Sequence, residues 1–340
     1  MALASPSFFV YTYSIAVYYT LKEGGMFHVK HRFKKLMKLA VWVSVAMYLA
    51  NKFVESSAAF RHLLKIKKEN FYNWRHGKIY YTKTGSGTPL LLIHDLHPAS
   101  SQQEWSKVIE PLAKNHTVYA IDLLGCGRSD KPNMTSYCSY LYVQLINDFI
   151  HDVIKEKTDI YATGKSGSFV ILAANLHDDI INEITLVNPE SFGKLAVLPD
   201  IRSKIVKTAL HLPLFGTFLY YQLVSQAQIE YQFTEKYFYN PFHLEDKTIF
   251  TYYEAAHLSR GGGRHLLAAI SGNYMNFDIR YAFSKLSNPI HILSGKELPD
   301  VEKIVKSYQK ANSHVTFSFV DKTKMLPQLE APKVFLNCIN

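Results

Sequence analysis

The chain has 340 residues, 48% of them hydrophobic, so it can bury a sizeable core and differs in composition from disordered or fibrous proteins. Its formal charge of +10 lies mostly in residues 1–70, which carry 11 Lys and Arg against 3 Asp and Glu, whereas the remaining 270 residues carry 27 against 25. The body therefore lacks the charge excess of a phosphate-binding protein, and we predict no nucleic-acid partner. Three cysteines without CxxC spacing predict neither a zinc site nor a disulfide framework, and no motif predicts another metal or a cofactor.

Residues 1–70 form a basic leader around an apolar segment, LAVWVSVAMYLA (39–50). Extended to 36–54, this segment is long enough for a transmembrane helix, so we predict a cell-membrane protein with a single N-terminal anchor. A cleavable secretory signal and a buried or interfacial helix are the alternatives. Lys and Arg flank the segment almost evenly, so the side of the membrane on which the body lies is not determined.

The start of the chain suggests a second hypothesis. The letters LKEGGM that end at Met26 are what a purine-rich ribosome-binding site before a start codon would encode if it were translated. Met26 is therefore an alternative first residue. A coding sequence without such a purine run before that codon would contradict this hypothesis.

Beyond the leader, short β-branched or aromatic runs alternate with longer helical stretches, which is typical of a mostly parallel sheet with helices on both faces. The predicted strands are KIYYTKTG (78–85), PLLLIHD (89–95), TVYAIDLLG (117–125), DIYATG (159–164), EITLVNP (183–189), PIHILSG (289–295) and HVTFSFV (314–320). The predicted helices are 101–115, 140–156, 169–179, 300–312 and a last helix from Leu326.

The alternation is interrupted once, which divides the body into a core and an insertion. We predict a first core part at 71–190, a helical cap at 191–285 and a second core part at 286–340, with the cap over the carboxyl edge of the sheet, where open α/β folds bind ligands. The stretch from 190 to 286 contains 18 Phe and Tyr. Such residues suit a site for a small apolar or acyl-bearing molecule, although packing of cap helices onto the sheet explains them equally well.

Four stretches resemble, in order and spacing, the α/β-hydrolase-fold proteins. They are LLLIHDLHPASSQQEW for a strand and the oxyanion loop, AIDLLGCGRSDKP for the next strand and turn, ATGKSGSF for the nucleophile elbow, and LPQLEAPKVF for the last helix. The resemblance spans about residues 71–340 and implies an α/β-hydrolase fold with an inserted helical cap. A closer resemblance, to membrane-anchored bacterial hydrolase-like proteins with a degenerate triad, would place the chain in Gram-positive anaerobes.

The resemblance implies a nucleophile and two oxyanion donors. The family places a serine of G-x-S-x-G on a strained strand-to-helix turn, and two backbone N–H groups stabilise the oxyanion. Here GKSGS (164–168) implies Ser166 as nucleophile, with a helix-capping serine as the alternative reading. The implied donors are Leu96 and Gly167. Asp95 replaces a family glycine beside the oxyanion: its carboxylate would oppose the reaction if it points inward and would only cap a turn if it points outward.

The family's catalytic acid should follow PIHILSG, at a position that holds Leu298. Glu297 is the preferred candidate because its longer side chain could reach the same place. Asp300 suits the N-cap of the following helix, and Glu190, at the end of the preceding strand, is a third candidate. All three are alternatively solvated loop carboxylates.

The expected histidine is missing. In the family it lies two residues before the proline of P-x-L-E-x-P, which is Pro327 here, so the position holds Met325. A thioether cannot accept a proton at neutral pH, and a serine would then lack its base. Substitute bases would have to come from His94, His97, His257, His265, Lys165 or Lys324.

Two functions follow from these residues. The first is a membrane-tethered serine hydrolase of an ester, thioester or amide with an apolar part. The second is a non-catalytic relative that binds a small apolar ligand or a protein partner. Met325 and Asp95 favour the second function, whereas the retained elbow sequence favours the first.

Overall fold

The computed structural model describes residues 34–58, 60–64 and 70–339. Met26, the alternative first residue, lies outside this range. The chain divides into two compact units, Met1–Lys52 and Phe53–Asn340. The described part of the leader is a helix, α1 (Lys34–Ala58), whose most apolar window has a mean hydropathy of 1.2 and is almost entirely exposed. By length and composition α1 can cross a membrane, and a signal sequence would meet the same criteria.

The described part of the body is built on one eight-stranded sheet in the order β1-β2-β4-β3-β5-β6-β7-β8. The first two strands are antiparallel, and β3 to β8 are parallel. The strands are β1 (Phe71–Trp74), β2 (Gly77–Thr84), β3 (Thr88–Ile93), β4 (His116–Ile121), β5 (Thr158–Thr163), β6 (Ile181–Val187), β7 (Ile290–Gly295) and β8 (Val315–Val320). Because parallel strands all end at one edge, the segments after β3, β5, β6, β7 and β8 meet there.

The helices after α1 are α2 (Ile109–Leu112), α3 (Ser139–Phe149), α4 (Ser166–Leu176), α5 (Phe192–Leu195), α6 (Ile201–His211), α7 (Phe215–Leu223), α8 (Gln226–Tyr231), α9 (Asp246–His257), α10 (Gly263–Ser271), α11 (Arg280–Lys285), α12 (Val301–Ala311), α13 (Pro327–Glu330) and α14 (Pro332–Ile339). The predicted helix 101–115 is instead a 3₁₀ turn, Gln102–Trp105, followed by the single-turn α2. A continuous helix over 101–115 is disfavoured by Pro111, which has no N–H to donate to the carbonyl four residues before it.

The sheet core explains why the strands were recognisable. The whole run Leu90–Ile93 of β3 is buried, as expected for a strand covered on both faces. The helices α5 to α11 lie between β6 and β7 and form the cap. Their buried aromatic residues form a second hydrophobic cluster, the cap cluster. Leu326 and Leu329, just after β8, belong to that same cluster. The inserted helices therefore pack directly on the segment that carries Met325.

Candidate functional site

The turn after β5 places a glycine where the sequence motif suggested a serine. Gly164 has φ +57°, in the left-handed region that favours glycine, whereas Lys165 is right-handed helical and Ser166 is the first residue of α4. Ser166 is fully buried, and its Oγ donates a hydrogen bond to the carbonyl of His94 at 2.6 Å. The predicted nucleophile is thus displaced by two residues from the strained turn, and its hydroxyl is not presented to a ligand.

Asp95 points inward and fills the space beside this turn. A Cβ at position 164 would lie 2.4 Å from Asp95 Oδ1, so only glycine leaves room for the carboxylate. Asp95 Oδ1 accepts hydrogen bonds from the N–H of Leu96 at 2.8 Å and from the N–H of Lys165 at 2.9 Å. Leu96, one of the two predicted oxyanion donors, donates here to Asp95, and the second N–H on the same oxygen belongs to Lys165. The N–H of Gly167 is directed instead at the carbonyl of Gly164.

A second carboxyl group lies behind Asp95. Glu104, from the 3₁₀ turn, is buried, and its Oε2 accepts a hydrogen bond from the N–H of Asp95 at 2.9 Å. Burial, reinforced by the nearby Asp95, raises the pKa of Glu104 to about 8, so this group is neutral at pH 7. Burial and the charge of Glu190 also raise the pKa of Asp95, against the effect of its two N–H partners. No local sequence pattern indicated Glu104, which lies within the predicted helix 101–115.

Glu190 belongs to a charged network next to the turn. Its carboxylate pairs with Lys165 at 2.6 Å and with Lys194 at 2.5 Å, and Lys165 Nζ also donates to Asn276 Oδ1 at 2.7 Å. Burial alone would raise the pKa of Glu190, but the two ammonium groups hold it below its ordinary value. Glu190 is therefore an ion-pair partner of Lys165, and both side chains are engaged with each other.

The histidines considered as substitute bases are held in other roles. His94 Nε2 accepts a hydrogen bond from the N–H of Leu123 at 2.9 Å, so its proton lies on Nδ1 and is donated to the Asp95 carbonyl at 2.7 Å. Burial lowers the pKa of His94 to about 4, and the same cause lowers the pKa of His97, His257 and His265 to about 4. The other considered base, Lys324, donates its Nζ to the carbonyl of Glu235 at 2.9 Å.

The candidates for the acid after β7 and the residue at the expected histidine position make other contacts. Glu297 and Asp300 are both exposed. Asp300 occupies the N-cap position of α12, but its φ of +56° is left-handed and its carboxylate pairs with Lys303 at 2.6 Å instead of capping the helix. Met325 is partly buried against the cap cluster, and its N–H donates to the carbonyl of Tyr237 at 3.0 Å.

Asn188 ties together the ends of three strands at this edge, although nothing in its local sequence indicated such a role. Its Oδ1 accepts from the N–H of Gly295, after which β7 ends, and its Nδ2 donates to the carbonyls of Lys324 and Met325. The side chain is buried. Asn188 thereby fixes the loop that carries Met325 against β6 and β7.

Replacing Asn188 tests the importance of this clamp. We expect Asn188→Ala to lower the free energy of unfolding by about 2 kcal/mol, because three hydrogen bonds are lost and buried backbone groups are left unpaired. Urea unfolding followed by circular dichroism measures the effect. Asn182→Ala, at an exposed asparagine of β6, is the matched control and should change stability by less than about 0.5 kcal/mol. Equal effects of the two variants would contradict the proposed clamp.

Comparison with known proteins identifies the fold. A model described as alpha/beta hydrolase fold matches residues 88–212. Over 79% of this chain and 95% of its own, a crystallised serine hydrolase involved in carbazole degradation, the CarC enzyme, superposes with a TM-score of 0.64 at 19% identity. A crystallised membrane phospholipase A, a bacterial virulence factor, superposes over 89% of this chain and 96% of its own with a TM-score of 0.62 at 17% identity. The chain has the α/β-hydrolase fold.

The similarity in sequence is confined to part of this α/β-hydrolase-fold chain. The 2-hydroxy-6-oxo-6-(2'-aminophenyl)hexa-2,4-dienoic acid hydrolase of Metapseudomonas resinovorans is 30% identical over 121 residues, which are 35% of this chain and 41% of that enzyme. A soluble epoxide hydrolase of Corynebacterium sp. is 29% identical over 111 residues, 33% of this chain and 38% of that enzyme. The matches thus span about two fifths of these relatives. The predicted fold class is confirmed, with the eight-stranded, mostly parallel sheet and flanking helices of its neighbours.

Within the α/β-hydrolase fold, the turn geometry identifies which residues correspond to which positions. The superfamily's oxyanion hole combines the N–H of the residue after the strained turn residue with an N–H of the loop after β3. In this chain the N–H groups in those places belong to Lys165 and Leu96, and they converge on a single oxygen atom. The residue before Lys165 is Gly164. By this geometric criterion the turn residue is Gly164, and the acceptor between the two donors is the chain's own Asp95.

Proposed function

We propose that this protein is a membrane-tethered, non-hydrolytic member of its superfamily that acts by binding a small apolar or acyl-bearing molecule or a protein partner. The observation that carries the proposal is the position of the Asp95 carboxylate, whose Oδ1 accepts from both Leu96 and Lys165. In a serine hydrolase these two donors must be free to receive the oxygen of the reacting carbonyl. Here they are already engaged by a group of the protein itself.

Three features of the site oppose acyl transfer. A carboxylate between the donors repels the negative charge that develops on the substrate oxygen, and loss of even one oxyanion donor costs about 10²–10³ in kcat in a well-studied protease. Gly164 offers no nucleophile at the strained turn. Met325 offers no base, and removal of the serine or the histidine of a triad costs about 10⁶ in kcat.

The alternative, a hydrolase with Ser166 as nucleophile, would require a different local structure. The Ser166 hydroxyl is fully buried and donates to the His94 carbonyl, so it would have to leave that partner and emerge from the first turn of α4. His94, the nearest candidate base, already uses both ring nitrogens. The geometry therefore favours binding over hydrolysis.

The membrane part of the proposal rests on α1. This helix is 25 residues long, apolar over an 18-residue window and preceded by a basic stretch, which suits a single anchor in the cell membrane. The similarity in fold to a membrane phospholipase A, which covers 89% of this chain, is consistent with a body that works at a membrane.

Labelling with a fluorophosphonate probe tests the proposal, because the probe reacts with activated serines whatever their substrate. We expect no labelling of the detergent-purified full chain, and none of Ser166→Ala. A triple variant, Gly164→Ser with Asp95→Gly and Met325→His, should gain labelling because it supplies a nucleophile, frees the donors and adds a base. Unfolding curves must show that each sample is folded. Labelling of the unmodified chain that disappears in Ser166→Ala would refute the proposal and establish a serine hydrolase.

A further inference from the structure

The cap helix α6 exposes an apolar stripe. Ile201, Ile205 and Leu212 are 69%, 64% and 46% exposed, and Leu198, just before the helix, is 70% exposed. The spacing of four residues places Ile201 and Ile205 on one face of α6, and Leu212 directly follows the helix as its C-cap residue. Large apolar side chains grouped in this way on a protein surface indicate a contact with a partner or a membrane.

The opposite face of α6 is already used by the fold. Ser203 and Leu210 are buried, and α6 packs against α7 and α10. At its start, Asp200 and Ser203 form a capping box, in which the side chain of each residue accepts a hydrogen bond from the backbone N–H of the other. The helix is therefore held in the cap with its apolar stripe facing outward.

Cations flank the stripe on both sides. Arg202 and Lys204 are exposed and lie on either side of the face that carries Ile201 and Ile205. An apolar face bordered by basic side chains is the pattern of helices that lie in a membrane interface, where the apolar side chains enter the acyl boundary and the cations meet anionic headgroups. Charge complementarity therefore favours an anionic lipid surface.

The segment at the start of the second unit contacts the cap helices. Within the unit that begins at Phe53, Val54 packs against the cap cluster, and Tyr221 of α7 donates its hydroxyl to Glu55 at 3.3 Å. The N–H groups of Leu63 and Leu64 both donate to the carboxylate of Glu254 on α9. The residues that end α1 and follow it are thus bound to the cap helices, and α7 is also a neighbour of α6.

We propose that α6 docks on the surface of a bilayer containing anionic lipids. Ile201, Ile205 and Leu212 insert at the level of the acyl boundary, while Arg202 and Lys204 pair with lipid phosphates. This inference rests on the membrane tether of the proposed function, and it adds a second point of membrane contact. It assigns to the cap a peripheral role at the lipid surface.

Fluorescence quenching by brominated lipids tests both contacts in the full chain, reconstituted in vesicles with or without phosphatidylglycerol. The native Trp42 in α1 reports the tether, because Trp74 and Trp105 are buried in the body and contribute the same background in every variant. Ile205→Trp, in a Trp42→Phe background, reports α6, and Phe317→Trp in the same background is the control at an exposed apolar residue of β8. We expect at least twofold stronger quenching for Ile205→Trp than for Phe317→Trp, larger with the anionic lipid. Adding Arg202→Glu and Lys204→Glu should reduce quenching to the control level.

The outcomes separate the two contacts. Quenching of Trp42 without quenching of Ile205→Trp would overturn the docking of α6 and leave the tether standing. Absence of Trp42 quenching would overturn the tether and, with it, the docking. If the detergent-solubilised chain sediments as a dimer, and acrylamide fails to reach the Ile205→Trp reporter in the dimer but reaches it in the monomer, a second copy of the chain covers this face and the docking proposal is wrong.

Discussion

Gly164→Ala is expected to lower the free energy of unfolding by about 4 kcal/mol. The new side chain would have to adopt φ +57°, which costs an L-residue about 1–2 kcal/mol. Its Cβ would also lie 2.4 Å from Asp95 Oδ1, and overpacking of this kind costs about 1–3 kcal/mol. Urea unfolding of the folded chain, followed by circular dichroism, measures the loss.

A second substitution separates the two causes. Asp95→Gly removes the carboxylate, so Gly164→Ala in that background should cost only the backbone term, about 1–2 kcal/mol. The difference is the interaction between the two positions. Gly193→Ala is the matched control, because a Cβ at Gly193 meets no atom within 4 Å; it should be neutral or slightly stabilising. If the effects at 164 and 95 were strictly additive, the inward position of Asp95 would be contradicted.

The comparison of Gly164→Ala with and without Asp95→Gly also bears on the proposed function. A coupling of about 2 kcal/mol would mean that glycine at position 164 is required by the carboxylate that occupies the donor site. The turn and the carboxylate would then form one arrangement, in which a nucleophilic side chain at the turn and Asp95 in its observed position exclude each other. A return to hydrolysis would require change at both positions.

The fold was predictable from the sequence because its signals are local. Buried β-branched and aromatic runs such as Leu90–Ile93 are evident in the letters, and their order specifies the topology. The turn after β5 was not located correctly, because ATGKSGS contains small residues in two overlapping registers. One register centres on Ser166 and the other on Gly164, and only the observed φ of +57° distinguishes them.

The remaining site residues depend on contacts that no local pattern reports. Glu104 lies in a helix-like stretch, and its partner is the N–H of Asp95 on another segment. Asn188 joins residues that are more than 100 positions away in the chain. The preference for Glu297 as the acid assumed that a shift of the loop by one residue would bring its side chain to the acid position. In the structure that side chain is exposed. Long-range hydrogen bonding, which sets burial and orientation, determined these outcomes.

Glu104 should make the protein less stable as the pH rises from about 5 to about 8. Its pKa is raised from the ordinary 4.5 to about 8 by burial, so in this interval the folded state keeps a proton that the unfolded state has lost. The free energy of unfolding therefore falls with increasing pH and stops falling above about 8. At 1.36 kcal/mol per pH unit, the contribution is on the order of 4 kcal/mol. The raised pKa of Asp95 adds a change of the same sign.

Glu104→Gln removes this titration while keeping an oxygen for the N–H of Asp95. We expect the variant to lose much less stability than the unmodified chain between pH 5 and pH 8.5, measured by urea unfolding at each pH. Glu110→Gln, at an exposed glutamate of α2, should retain the full pH dependence. A Glu104→Gln curve parallel to that of the unmodified chain would mean that Glu104 is already ionised at pH 7. Two carboxylates would then lie side by side at the donor site, and the buried arrangement of Asp95 would have to be sustained by the positive charge of Lys165 instead of by a neutral neighbour.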